Sequence, residues 1–161
     1  MKLTHRNASP EEIKTLIRRI RPVERVHNFP AGVDIDELFH NPEMCDHALI
    51  WIMDDGEPCA YAFIHFPYNN LNFESAEETW TDTLEDEVAT WAQEQMRTQY
   101  QDDLVENTLD SNCRYEDTRM TRFFERHGFL KDKFESLDYE LVMTEMPKLP
   151  DLPEGFNVRP L

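Results

Sequence analysis

Two apolar segments joined by a tight turn constrain the fold of this chain most. Residues 48–53 (ALIWIM) and 60–66 (AYAFIHF) are rich in aliphatic and aromatic side chains, and the sequence D-D-G-E occupies 54–57 between them. An Asp-Gly pair favours a short hairpin turn, because glycine adopts the positive φ that such turns need. The sequence therefore predicts two antiparallel, buried strands.

A helix precedes this hairpin. Ser9, Pro10 and Glu12 form a helix start in which the serine caps, the proline suits the first turn and the glutamate closes a capping box. Apolar residues then recur at the i, i+3, i+4 and i+7 spacing of one helical face, at Ile13, Leu16, Ile17 and Ile20. A second, shorter helix is predicted at 34–40.

Two more helices follow the hairpin. Thr83 is the predicted N-cap of a helix that runs to Met96 and has an apolar face of Leu84, Val88, Trp91 and Ala92. Helical spacing returns at Met120, Phe123, Phe124 and His127, and Gly128 is placed to end that helix.

Additional strands are predicted at 2–6, 71–74, 104–109 and 137–143. The order is then strand, two helices, three strands, helix, strand, helix, strand. This order describes one mixed α/β domain over 1–146, with a strand–helix–strand crossover in its middle. The chain has 161 residues, which suits a single domain of this kind.

The last residues have a different character. Residues 147–153 (PKLPDLP) form a proline-rich linker, and 155–161 (GFNVRPL) are similar in pattern to the opening strand at 2–7 (KLTHRN). We therefore predict that 147–161 comprise a linker and the first strand of a second, similar domain.

Negative charge is concentrated in the middle of the chain. The 33 Asp and Glu exceed the 16 Lys and Arg by 17, and from Val26 to Met96 there are sixteen acids and no Lys or Arg. Such a surface repels phosphate backbones and anionic lipids. We therefore expect no nucleic-acid or membrane partner, whereas a cationic ligand or a basic protein remains possible.

The cysteines and histidines give no sign of a metal site. Cys45, Cys59 and Cys113 lack metal-ligand spacing and fit the reduced thiols of a cytoplasmic protein. The six histidines show neither H-x-x-x-H nor H-E-x-x-H, so we expect no metal. No apolar run approaches the ~18 residues of a transmembrane helix.

One segment resembles a known family. Residues 122–129 (RFFERHGF) contain the pattern F-x-E-x-x-G-F and cover the end of the last helix in the element order given above. Both features resemble the GNAT superfamily of N-acetyltransferases, in which a helix of pattern N-x-x-A-x-x-F-Y-E-x-x-G-F closes the acyl-CoA site. Residues 91–94 (WAQE) also resemble the family's central helix. The resemblance covers 2–146 in element order and implies a GNAT fold, acetyl-CoA as cofactor and an amine as acceptor.

The cofactor loop departs from the family pattern. In the family, Q/R-x-x-G-x-G/A joins the fourth strand to the central helix, and its small residues let backbone N–H groups approach the pyrophosphate. The matching positions here are Trp80, Thr81, Asp82, Thr83, Leu84 and Glu85, among the further acids Glu77, Glu78, Asp86 and Glu87. With no base in this segment, only Arg114 or Arg119 are expected to compensate. The resemblance therefore predicts weak or absent acetyl-CoA binding.

The catalytic positions depart as well. The resemblance places the family's proton-donating Tyr at Phe124, which has no hydroxyl, and the family's Asn at Asp117. The remaining candidates are Glu74 on the predicted fourth strand as a base, with Tyr115 or Tyr139 as acids.

Together these losses favour one function over two alternatives. The chain is predicted to be the non-catalytic N-terminal half of a tandem GNAT protein, whose second GNAT-like domain transfers an acetyl group from acetyl-CoA to a small amine. The first alternative is an active acyl-CoA-dependent N-acetyltransferase with an altered cofactor loop. The second is a binding module for a cationic ligand.

Overall fold

A computed structural model of the chain describes residues 3–26, 28–101 and 107–133. By its internal contacts the chain divides into a unit that ends at Leu130 and a unit that begins at Lys131. All elements below belong to the first unit. The strand predicted at 137–143, the linker at 147–153 and the strand at 155–161 lie outside the described residues.

The described strands form one mixed sheet in the order β1 to β5. Their bounds are β1 Thr4–Asn7, β2 Ala48–Ile52, β3 Pro58–His65, β4 Asn70–Ser75 and β5 Asp110–Ser111. Strands β1 to β4 pair antiparallel, and β5 pairs parallel with β4. The predicted hairpin is confirmed as β2 and β3, and Gly56 in its turn has φ +89°.

The strand predicted at 104–109 does not coincide with β5. Residues 102–106 lie outside the described part, and 107–109 are irregular. Strand pairing starts at Asp110, whose N–H donates to the Asn69 carbonyl oxygen at 2.8 Å. The start of β5 is therefore set by where the chain meets β4, which no local pattern encodes.

Among the described residues, four α-helices accompany the sheet: α1 Pro10–Ile20, α2 Gly32–Leu38, α3 Asp82–Gln99 and α4 Thr118–Arg126. The capping box at the start of α1 is confirmed: the Ser9 side chain accepts from the Glu12 N–H, and the Glu12 carboxylate accepts from the Ser9 N–H. The C-terminus of α4 is also as predicted, since Gly128 adopts φ +80°.

The predicted N-cap of α3 was wrong. Thr81 caps the helix, because its backbone is extended (φ −129°, ψ 157°) and its hydroxyl accepts from the Leu84 N–H at 3.2 Å. Thr83 is already helical. The helix thus begins two residues earlier than predicted.

The two faces of the sheet bury separate cores. Helices α1 and α2 cover one face with residues that include Ile13, Leu16, Ile17 and Ile35, packed with Ile50, Tyr61 and Phe63. Helices α3 and α4 cover the other with residues that include Leu84, Val88, Ala92 and Phe123, packed with Trp51, Ala62 and Phe73. Neighbouring side chains of β3, such as Tyr61 and Ala62, therefore face different cores. Over the described ranges, no helix has the length and apolarity needed to cross a membrane.

Candidate functional site

The segment between β4 and α3 is held in one shape by its own hydrogen bonds. Thr79 is fully buried. Its hydroxyl lies 2.8 Å from Ser75 Oγ and donates to the Ala76 carbonyl oxygen at 3.1 Å. The Trp80 ring packs against Phe73, with ring centroids 4.9 Å apart. This loop and the first turn of α3 contain the six positions predicted as the altered cofactor loop.

Glu85 is the unexpected residue of this site. It occupies a position where the resemblance expects a glycine or alanine, and its side chain is 0% exposed. Its carboxylate accepts hydrogen bonds from Trp80 Nε1 at 2.6 Å, Arg122 Nη2 at 3.0 Å and Arg126 Nη1 at 2.9 Å. Burial alone raises the pKa of the Glu85 carboxyl, but these three donors outweigh burial and hold the pKa below its usual value.

Further ion pairs connect α4 to the same turn. Arg122 also donates to Asp82 Oδ1 at 3.2 Å, and Arg126 lies 2.7 Å from Asp86 Oδ1. Arg126 Nη1 donates to the Asp82 carbonyl oxygen at 3.1 Å as well. Each of the acids Asp82, Glu85 and Asp86 at the start of α3 is thus paired with an arginine of α4.

Of the two arginines that the sequence suggested near the loop, the structure brings Arg119 there. Its guanidinium lies 5.9 Å from the Trp80 ring centroid and donates to Glu77 at 2.9 Å. Arg122 and Arg126 were missed. The signal was present, because positions 119, 122 and 126 follow the i, i+3, i+7 spacing of one helical face.

Bases from α1 pair with acids of the segment 26–96 too. Lys14 contacts Asp36 at 2.6 Å, and Arg19 contacts Glu57 at 2.6 Å. Bases from both flanks therefore neutralise part of the negative charge that is concentrated in this segment.

Glu74, the predicted base, forms a bidentate ion pair. Arg21 donates to both of its carboxylate oxygens, at 2.7 and 2.8 Å. The Arg21 side chain is 4% exposed and that of Glu74 29%. Arg21 also donates to the hydroxyl of Tyr61 at 3.3 Å, and burial raises the pKa of that hydroxyl well above its usual value. Glu74 thus joins β4 to the end of α1.

The other predicted site residues are spread over the first unit. Phe124 is half-buried and packs against Phe123 and Phe129, at centroid distances of 5.6 and 5.2 Å. Asp117 caps α4, since its carboxylate accepts from the Met120 N–H at 3.1 Å. Tyr115 is 91% exposed. Thr83 is exposed, Leu84 is part of the core, and Tyr139 lies outside the described residues.

Comparison with known proteins identifies this fold. No protein-family model matches the sequence, and no curated protein matches it significantly. Among solved structures, a GCN5-related N-acetyltransferase from Sphaerobacter thermophilus superposes with a TM-score of 0.63 at 18% identity, covering 78% of this chain and 42% of that one. The chain has the GNAT fold. Its predicted fold class is thereby confirmed.

Two further solved structures share the GNAT fold. AAC(6')-Iy, solved with a CoA-based bisubstrate analogue, gives a TM-score of 0.56 at 14% identity over 89% of this chain and 100% of its own. A GNAT-family acetyltransferase from Streptococcus pneumoniae gives 0.52 at 13% identity over 81% and 86%. The chain spans less than half of the Sphaerobacter protein but most or all of these two.

Within this GNAT fold, β4 and β5 diverge soon after they meet. Their pairing consists of Asn70 with Asp110 and Leu71 with Ser111. Strand β4 continues to Ser75, so among the described residues its positions 72–75 have a strand partner only on the β3 side. An open strand edge presents backbone donors and acceptors to any extended group that enters the gap.

Two cavities of the described residues lie away from this edge. One of about 220 Å³ is lined by Gln93, Met96, Arg97, Asn107 and Leu109. Another of about 280 Å³ lies between α1 and the β2–β3 turn. Neither is lined by the loop before α3. Across 3–26, 28–101 and 107–133, no group of His, Cys, Asp and Glu is arranged to hold a metal ion.

Proposed function

We propose that this domain does not transfer acetyl groups itself. It is the non-catalytic N-terminal half of a protein with two GNAT-like domains, and the second domain transfers an acetyl group from acetyl-CoA to a small amine. The domain then shapes or regulates its partner. The observation that carries this proposal is the buried carboxylate of Glu85 at the start of α3.

Glu85 opposes phosphate binding in two ways. A helix N-terminus attracts a phosphate by only about 0.3–2 kcal/mol. A carboxylate ~8 Å from a phosphate charge opposes it by at most roughly 2 kcal/mol at an effective dielectric constant near 20, and the two arginines paired with Glu85 offset part of this repulsion. Glu85 also engages Arg122 and Arg126, the cations that a phosphate would need. The first turn of α3 is therefore a poor place for the pyrophosphate of CoA.

The catalytic positions support the same proposal. Phe124 has no proton to give to a departing thiolate. To act as a base, Glu74 would have to leave a bidentate contact with a buried arginine. A general acid or base contributes a factor of about 10²–10⁴ to the rate, so losing both makes turnover very slow.

The partner domain is supported by length. The Sphaerobacter protein has more than half of its chain outside the match to this one, which is room for a second domain of similar size. The proline-rich residues 147–153 suit a semi-rigid connection between two such domains.

Calorimetric titration of the 161-residue chain with acetyl-CoA tests the proposal. We expect no binding at micromolar concentrations, and a dissociation constant in the micromolar range or below would contradict it. A graded version replaces three loop acids with amides, as Glu77→Gln, Glu78→Gln and Asp82→Asn. This variant should raise any residual affinity by about tenfold at low salt, because a repulsion of about 1.4 kcal/mol is removed.

A matched control carries the same change in net charge away from the loop. Glu37, Asp46 and Glu94 are exposed, so Glu37→Gln, Asp46→Asn and Glu94→Gln serve this purpose. The control should leave the affinity nearly unchanged. An equal gain from both variants would mean that overall charge, and not the loop, governs binding.

Turnover assays test which of the two proposed domains transfers acetyl groups. Acetyl-CoA consumption by this chain with any amine, above the uncatalysed rate, would refute the proposal. Activity that requires a longer protein containing both domains would support it.

One observation favours the alternative, an active acyl-CoA-dependent N-acetyltransferase. The open edge of β4 at 72–75 can accept an extended arm that carries amide groups, and the pantetheine arm of CoA has two of them. Binding measurements with pantetheine and with CoA distinguish the proposed function from this alternative. Equally weak binding of both would mean that the gap beside β4 accepts the arm while the first turn of α3 does not bind the phosphates. Much tighter binding of CoA would support the alternative.

A further inference from the structure

The carboxylate of Glu85 has the surroundings of a bound anion. It is fully buried, although Asp82 and Thr83 on the same helical turn are exposed. Two guanidinium groups and one indole N–H converge on it within 3.0 Å. Two arginines and a neutral N–H donor are typical partners of a carboxylate or phosphate ligand.

We propose that Trp80, Arg122 and Arg126 form an oxyanion-binding site, and that the Glu85 side chain is its built-in occupant. The inference rests on the proposed function, in which no cofactor phosphate takes this place. The internal carboxylate joins α4 to α3 as a ligand would. The Arg122 and Arg126 side chains are 57% and 31% exposed, so an oxyanion from solution can reach their outer sides, but it takes the position between all three donors only by displacing the Glu85 carboxylate.

Two further carboxylates limit which anions fit. Asp82 contacts Arg122 at 3.2 Å, and Asp86 contacts Arg126 at 2.7 Å. Both carboxylates remain when Glu85 is removed and partly neutralise the arginines. A small, singly charged oxyanion such as formate should therefore bind better than inorganic phosphate, which carries more charge into the same space.

The variant Glu85→Ala tests the site by removing the occupant and leaving its three donors. Thermal unfolding is measured in sodium formate, sodium acetate, sodium phosphate and sodium chloride at equal ionic strength. Formate and acetate should raise the melting temperature along a saturating curve, by roughly 4 °C at about ten times the dissociation constant. Chloride should not. The wild-type chain should show no difference between formate and chloride.

Two control variants make the test specific. Glu85→Gln keeps the side-chain volume and an acceptor for Trp80, so it should show no shift specific to formate. Combining Glu85→Ala with Arg126→Gln removes one cation and should abolish the rescue. Rescue that persists without Arg126 would contradict the assigned site.

The experiments give different results when the oxyanion-binding site is wrong and when the proposed function is wrong. Equal melting temperatures of Glu85→Ala in formate and in chloride would overturn the site without bearing on acetyl-CoA binding by the wild type. If this variant does not fold in chloride, it is refolded from urea in each salt. Recovery in formate alone supports the site, and no recovery in either salt overturns it.

Discussion

Replacing Arg21 by methionine should destabilise the domain by about 3 kcal/mol. All five guanidinium N–H groups of Arg21 have acceptors. Glu74 takes two, the carbonyl oxygens of Asn28 and Pro30 take one each at 2.7 and 2.9 Å, and the Tyr61 hydroxyl takes the fifth. The side chain therefore connects the end of α1, the segment before α2 and β4 through a single buried charge.

The expected loss of stability follows from the Glu74 charge that the Arg21→Met substitution leaves unpaired. Removing one partner of a buried ion pair costs about 3–5 kcal/mol, because the remaining charge is left without compensation. The Glu74 side chain is 29% exposed, so water reaches its carboxylate and the cost lies at the low end. Methionine fills most of the arginine's aliphatic volume, which keeps the cavity contribution small.

Urea unfolding followed by tryptophan fluorescence measures the cost. Arg21→Met, Glu74→Gln and the double variant form a cycle, whose coupling energy should be about 2 kcal/mol. Arg18→Met changes an exposed arginine on the same helix and should stay within about 0.5 kcal/mol of wild type. A cost below about 1 kcal/mol for Arg21→Met, with coupling near zero, would show that Glu74 is not held by Arg21 and is available as a base.

Two other changes test the start of α1 and the predicted catalytic position at Phe124. Hydrogen bonds from Arg6 and from the Ser9 N–H lower the pKa of Glu12 from 4.5 to about 2. The carboxylate thus stabilises the fold above pH 4.5 and loses this effect as the pH falls toward 2. In the variant Glu12→Gln, the free energy of unfolding should therefore depend less on pH in that range. The variant should also be about 1 kcal/mol less stable than the wild type at pH 7. Phe124→Tyr places a hydroxyl on a half-buried ring. This variant should still give no acetyl transfer, because Glu85 remains at the first turn of α3, where we propose that it opposes phosphate binding. Measurable turnover would overturn that reasoning.

The local elements were predictable because short-range forces specify them. The β2–β3 hairpin depends on Gly56, and the start of α1 depends on Ser9 and Glu12, which hydrogen-bond to each other. The order of these elements, together with the pattern F-x-E-x-x-G-F at 123–129, was sufficient to predict the GNAT fold. These signals span fewer than ten residues each, so a single sequence contains them in full.

The start of α3 shows where local reasoning fails. Thr83 is followed at the third position by Asp86, which favours a capping box, whereas Thr81 is followed there by Leu84. The structure selects Thr81, and Trp80 beside it is fixed by Phe73 and Glu85. The contacts of Trp80 with Phe73 and Glu85 thus lie next to the helix start that the structure selects, whereas the local pattern favoured a start two residues later.

The sequence by itself determined most of the order of the described elements, the acidic character of the segment at the start of α3 and the absence of a hydroxyl at Phe124, because each depends on residue type and local spacing. Only the tertiary structure decided what the acids do. Glu85 is separated from Arg122 and Arg126 by 37 and 41 positions, and Glu74 from Arg21 by 53. No local pattern reports such pairings, since they arise when α3, α4 and α1 pack on the sheet and bring distant, opposite charges into contact.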